Sequence, residues 1–297
     1  MFKTKLTSPM KRVVAAFFMV VLLLPAFPIR AHADIGPKPS VVIDFEGLEQ
    51  EEYYVTLLSD RPSTGPWSEG NPYYDYMGDK GVFDKFASYE DPDGYYFLSY
   101  MEDCSETDQF SWTYYPPDQF KVLIYYVDRD EFQVSDQIYE KYAFDSYFLA
   151  EFEKEDGIGR GSSFSLKNNY NYTGEILSLI VRIVITIILE LMIAYLFGYR
   201  DRKNIRVIMV TNLATQIILN VVLNLSQYYS GYYALLLAYF CLEILVMVIE
   251  GAVYKRHTDA IDAVSGKKMH PVIYAIVANG ASWWIGVWLA KVIPNMF

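Results

Sequence analysis

The chain has 297 residues, with 36 Asp plus Glu against 25 Lys plus Arg and a formal net charge of −11. That acidic balance argues against a nucleic-acid partner, because neutralising phosphates requires a basic face. Two cysteines and three histidines exclude a Cys-rich zinc module. The charge is uneven along the chain. Residues 34–174 hold 29 acidic and 10 basic side chains, which leaves the remainder net positive by about 8. An acidic domain followed by basic loops between apolar runs is the pattern of an exported domain on a membrane anchor.

Residues 1–33 have the three parts of a secretory signal. Lys3, Lys5, Lys11 and Arg12 form a positive start, Val13 to Phe27 an apolar run, and Ala31-His32-Ala33 a small-x-small cleavage site. The run is about 15 residues, short of the roughly 20 that span hydrocarbon. Cleavage is expected to leave Asp34 as the first residue of the mature chain, outside the cytoplasm.

From 34 to 155 the pattern is that of short strands. In Ser40 to Glu46, Val41, Ile43 and Phe45 alternate with Asp44 and Glu46. Further runs rich in Val, Ile, Tyr and Phe follow at 52–59, 95–101, 110–115, 120–127, 131–135 and 142–152. Strands at this spacing with few helices between them predict an all-β, Ig-like sandwich. One short helix is expected near Asp79 to Ser88, and Asp91-Pro92-Asp93-Gly94 reads as a tight turn rather than a calcium loop. The Pro/Gly-rich loop 60–78 carries Trp67, Tyr73, Tyr74 and Tyr76. These aromatics are candidates for a binding surface, or else cover the sandwich edge. Residues 156–175, rich in Gly, Ser and Asn, are expected to be a linker.

The stretches ADIGPKPSVVIDFEGL (33–48), WTYYPPDQFKVLIYY (112–126) and YAFDSYF (142–148) resemble uncharacterised exported multi-pass membrane proteins of Gram-positive bacteria. The resemblance implies a bacterial cell membrane as the location. It carries no activity and no site residue.

Four apolar segments follow, at 176–199, 205–225, 234–254 and 271–293, each near the length a membrane-crossing helix needs. Arg200, Arg202, Lys203 and Arg206 follow the first, and Lys255, Arg256, Lys267 and Lys268 follow the third, whereas 226–233 has no charge. Basic loops stay in the cytoplasm, so residues 34–175 and the C-terminus are expected outside. Cys104 and Cys241 then fall in different regions, and no disulfide is expected between them.

The segments are not plain anchors. Arg182, Thr186 and Glu190 recur every fourth residue, as do Asn212, Gln216, Asn220 and Asn224. Glu243 and Glu250 are seven apart, and Ala278, Ser282, Gly286 and Ala290 form a small-residue stripe beside Asn279. Such spacings keep side chains on one helix face, and small residues let helices approach closely. Arg182, Glu190, Asn212, Gln216, Asn220, Glu243, Glu250, Asn279 and Ser282 are therefore the candidate polar core, with Glu190 and Glu243 singled out near the middle of their segments. Two readings stay open for it: a hydrogen-bonded glue, or a path for a cation or proton.

Protease, phosphate-loop and dinucleotide motifs are absent from the sequence, so an enzyme is not expected and no cofactor is implied. The favoured expectation is a membrane-anchored binding or sensing protein. The alternative is a small permease or channel. Either has the lipid bilayer as its partner, with a second membrane protein or another copy of the chain as further candidates.

Overall fold

Strands β2 (Tyr53–Ser59) and β8 (Gln119–Tyr126) are buried along almost their whole length, on both faces. That pattern sets the architecture, because a strand buried on both sides must lie in a middle layer. The computed structural model describes residues 37–48, 51–73, 78–152 and 164–292, with side chains to 286. The expected signal peptide and cleavage site lie outside the described residues, as do 153–163 and the last five residues.

One sheet has the order β12-β11-β1-β7, from Phe164–Asn168, Asp145–Phe152, Ser40–Phe45 and Gln109–Trp112. In it β1 runs parallel to β11, with Ser40 opposite Asp145 and Phe45 opposite Ala150. A parallel pair needs a long connection, and the whole second sheet lies within it in sequence. That second sheet has the order β10-β8-β2-β5 (Tyr139–Glu140, β8, β2, Tyr96–Phe97), with β6 (Glu102–Asp103) on β2 and β9 (Glu131–Val134) on β8. A small hairpin pairs β3 (Ser63–Thr64) with β4 (Trp67–Ser68).

The two sheets share one apolar core. Val41, Ile43, Phe110, Trp112 and Phe148 from the first meet Val55, Leu57, Phe120, Val122 and Ile124 from the second. The outer face of the second sheet is covered by α1 (Lys80–Ala87), whose Val82, Phe83 and Phe86 pack on Tyr54, Leu58, Leu123 and Tyr125. Asp79 caps α1 by accepting the Val82 N–H, as a short acidic side chain does at a helix start. Alternation is therefore clear in β1 and lost in β2 and β8.

One expectation is corrected here. Part of the segment read as a linker is β12, an edge strand on β11 with Phe164 and Leu166 buried in the core. The Asp91–Asp93 segment is a plain turn, in which Asp91 accepts the N–H groups of Asp93 and Tyr95 and both carboxylates pair with Lys121.

Three longer helices follow: α2 (Tyr172–Phe197), α3 (Arg202–His257) and α4 (Pro271–Val292). Of these, α2 and α3 are long and apolar enough to cross a membrane. Asn171 caps α2, which ends at Gly198 with φ +101. α3 is interrupted at Gly231, whose φ of 77 and ψ of −176 fall in a region essentially reserved for glycine. The two halves fold back on each other there, with Leu219 and Leu223 packed on Val246, Tyr239 and Leu242. The expected loop 226–233 is thus a single non-helical residue. Leu177, Leu196, Ile218, Leu237 and Phe240 face outward.

Candidate functional site

The β-rich region rests on the turn at Gly231. The Phe144 N–H donates to the Tyr228 carbonyl at 2.8 Å. Tyr142 and Tyr170 pack on the Tyr228 ring, and the Phe144 ring occupies the space beside Gly231 where a Cβ would come within 2.6 Å of it. Glycine is required at 231 on two counts, for its φ and for this close approach.

Beside this contact lies a cavity of about 360 Å³ walled from both regions. Asp145, Tyr147 and Tyr170 come from the β-rich side, and Glu175, Arg182, Gln227 and Tyr228 from the helices. Burial, with the charge of Glu175, pushes the Tyr170 phenol up to about 12, so it stays a neutral donor and acceptor. Arg182 is 8% exposed and donates to Asn224 Oδ1 at 2.9 Å.

Below Arg182 a polar seam runs between the helices. Asn220 donates to the Gln216 carbonyl at 2.9 Å. Deeper, Glu190, Asn212 and Glu250 are each fully buried, with Asn279 at 1% and Ser282 at 9%. Glu250 accepts from Thr215 Oγ1 at 2.6 Å and from Asn279 Nδ2 at 2.7 Å. Ser282 lies 3.4 Å from the Glu190 carboxyl and also donates to the Asn279 carbonyl at 3.1 Å. Ser282 and Asn279, one turn apart on α4, therefore link the two carboxyls. Tyr274 donates to the Glu190 carbonyl at 3.1 Å. Asn212 lies close to the Glu190 carboxyl and the Tyr274 hydroxyl, yet neither polar atom of its amide completes a hydrogen bond with good geometry.

At the Gly198 end the loops are tied by Asp262. One oxygen accepts the backbone N–H groups of Arg200 and Asp201, each at 2.9 Å, and Asn204 Nδ2 at 3.2 Å. The other accepts the N–H groups of Val264 at 3.0 Å and Ser265 at 2.8 Å. Burial alone would raise this carboxyl, but the five donors outweigh it and hold it well below the usual carboxylate range.

The sequence-derived candidates divide as follows. Glu190, Asn212, Gln216, Asn220, Glu250, Asn279 and Ser282 line one buried seam, and Arg182 stands at its head beside the cavity. Glu243 differs: it is half-buried beside Tyr239. The carboxyl that joins Glu190 is Glu250, one heptad further along. Trp67 and Tyr73 turn inward. The Trp67 indole donates to the Tyr114 carbonyl at 2.7 Å and packs on Trp112, and Tyr73 packs on Phe83 and donates to the Gly78 carbonyl. Tyr74 and Tyr76 lie outside the described residues. Cys104 and Cys241 are both free thiols.

Sequence reasoning missed Thr215, Tyr274, Phe144 and Asp262. Tyr274 had a signal, since it extends the Ala278 and Ser282 stripe by one turn. Asp262 had none beyond its place in a Gly-containing loop. Among the described residues no group of three or more His, Cys, Asp or Glu is arranged to hold a metal ion. No family model, curated protein or solved structure matches this chain.

Proposed function

We propose that this chain is a membrane-anchored binding and sensing protein of a bacterial cell envelope. In this reading the β-rich region is an extracytoplasmic Ig-like sandwich, and α2, the two halves of α3, and α4 form a four-helix transmembrane bundle. The observation that carries it is the cavity at the Gly231 turn, walled by both regions. A ligand there touches Asp145 and Tyr147 on one side and Glu175 and Arg182 on the other. It thereby changes how the sandwich sits on the bundle. The mixed charges and neutral phenols suit a small polar solute carrying an amine.

The test uses the full chain in nanodiscs, screened for melting shifts with small zwitterionic and cationic solutes. A binder is expected whose effect disappears in Tyr147→Ala and in Glu175→Gln. A set of solutes with no effect on the wild type, or one whose effect survives both variants, defeats the reading. Orientation is tested separately. Cysteines replacing Ser230 and Ala263, both exposed, are expected to react with impermeant thiol reagents in intact cells at 230 and not at 263. The Cys104→Ser, Cys241→Ser background removes the native thiols.

A second reading is favoured by the Glu190–Glu250 seam: a small permease, oligomeric or with a partner, that moves a cation or proton along it. Cation or proton flux in proteoliposomes, wild type against Glu190→Gln, tests this. Flux that is absent from the wild type, or equal in both, removes it.

A further inference from the structure

We propose that the deep end of the seam binds a single alkali cation, held by the Glu190 carboxylate with the side-chain carbonyl oxygens of Asn212 and Asn279. The proposal deepens the second reading of function and rests on the helices forming a membrane bundle.

Charge is the first argument. Two fully buried carboxyls on different helices meet through Asn279 and Ser282. An ionised carboxylate in such surroundings is strongly disfavoured unless a cation compensates it. Arg182 lies two turns from Glu190 on α2, and its guanidinium reaches Asn224 rather than either carboxyl.

The two carboxyls are not equivalent. Both Glu250 oxygens accept short hydrogen bonds, from Thr215 and Asn279. Glu190 has one long contact, at 3.4 Å to Ser282, and its Oε2 has no hydrogen-bond partner. The Asn279 nitrogen is used by Glu250 and by the Ala275 carbonyl, while its Oδ1 has no partner. The fully buried Asn212 has none at Oδ1 either. Three buried oxygens, from three helical segments, are thus without donors. Buried polar atoms rarely stay so, and a hard cation is what oxygens without donors recognise. A proton on Glu190 would neutralise it and donate to at most one amide carbonyl, leaving the other unsatisfied.

The donor set also fixes the charge of the guest. One carboxylate with two amide carbonyls is a site of charge −1, matched by a monovalent ion. The other unpartnered groups nearby, Asn212 Nδ2 beside Glu190 and the Tyr254 hydroxyl beside Glu250, complete no hydrogen bond to either carboxyl.

The test is made on the full chain in nanodiscs at pH 8, with sodium exchanged for choline at constant ionic strength. The melting temperature is expected to rise saturably with sodium and not with choline, as linkage requires for a ligand of the native state. Radiolabelled sodium is expected to bind at about one per chain. Glu190→Gln and Asn212→Ala are expected to lose at least tenfold in sodium affinity, while Asn224→Ala retains it. Identical melting in sodium and choline, with no labelled sodium retained by the wild type, overturns the proposal, as does stability that follows pH but not sodium. Because the wild type decides, the result stands even if the Glu190 variant does not fold. Sodium binding without flux leaves this site intact and removes the permease reading alone.

Discussion

The β-rich region and the helices are built with opposite interiors. Between the sheets, Phe110, Trp112, Phe120 and Phe148 make an aromatic core, and the polar atoms of its large side chains are matched: Tyr53 to Asp108, Tyr126 to Gln133, Trp112 to the Tyr114 carbonyl. Among the helices, large apolar side chains face outward, and Glu, Asn, Gln and Arg are turned in. The buried oxygens of Glu190, Asn212, Tyr254 and Asn279 that lack a hydrogen-bond partner all lie on the helices, with Tyr199 directly after α2. The difference is what two solvents would select if the helices lie in a bilayer, as proposed. Water drives apolar area inward. Under the membrane reading proposed above, hydrocarbon would give no such drive between helices, and polar contacts and close packing would hold them.

The largest expected effect breaks the first interior. Phe120→Ala removes a fully buried ring and is expected to cost about 3–5 kcal/mol in denaturant unfolding. Its counterpart, Leu196→Ala, changes a side chain that is 76% exposed, and is expected to stay within about 0.5 kcal/mol. Comparable losses for the two would erase the contrast.

Next in size is Asp262→Ala, which strands several buried donors and is expected to cost about 2–3 kcal/mol. The pH dependence has a definite sign. A carboxyl held low in the folded state contributes its stability above the ordinary range near pH ~4 and loses it as pH falls toward the depressed value. Acid should thus weaken the wild type in melting scans, with a smaller slope in Asp262→Asn; equal slopes would falsify the assignment.

Gly231→Ala is expected to cost about 1–3 kcal/mol from its φ alone. It should also loosen the junction, seen as faster amide exchange at Phe144. Protection at Phe144 as strong as in the wild type would mean the close approach is not needed. The smallest effect is Lys80→Ala. Its partner Asp84 sits four residues on, both side chains are at least 60% exposed, and the change in unfolding free energy should be about 0.3–0.5 kcal/mol.

Much of this was legible in advance, for reasons that differ by region. β1 was visible because only one of its faces is buried, leaving Val41, Ile43 and Phe45 alternating with Asp44. β12 was hidden because Gly, Ser and Asn around it mimic a linker, and only Phe164 and Leu166 carry its edge pairing. In the helices, fourfold spacing revealed the faces of Arg182, Glu190 and the amides. Spacing could not say which carboxyl meets Glu190, because that depends on how the halves of α3 and α4 register. Glu243 and Glu250 share a face on their own helix and differ by a heptad in depth. Trp67 looked like a ligand-binding aromatic because sequence does not record that Tyr114 offers its carbonyl to the indole.

Asp262 has a mechanical consequence. Its side chain gathers the turn after α2, the start of α3 and the loop before α4 onto two oxygen atoms. At the opposite end, one glycine and a cluster of tyrosine rings hold the β-rich region to the turn. The helices are thus gathered at one end by a single carboxylate and at the other by a glycine turn packed with rings. Amide exchange in the full chain is therefore expected to be faster beside Tyr228 than beside Asp262.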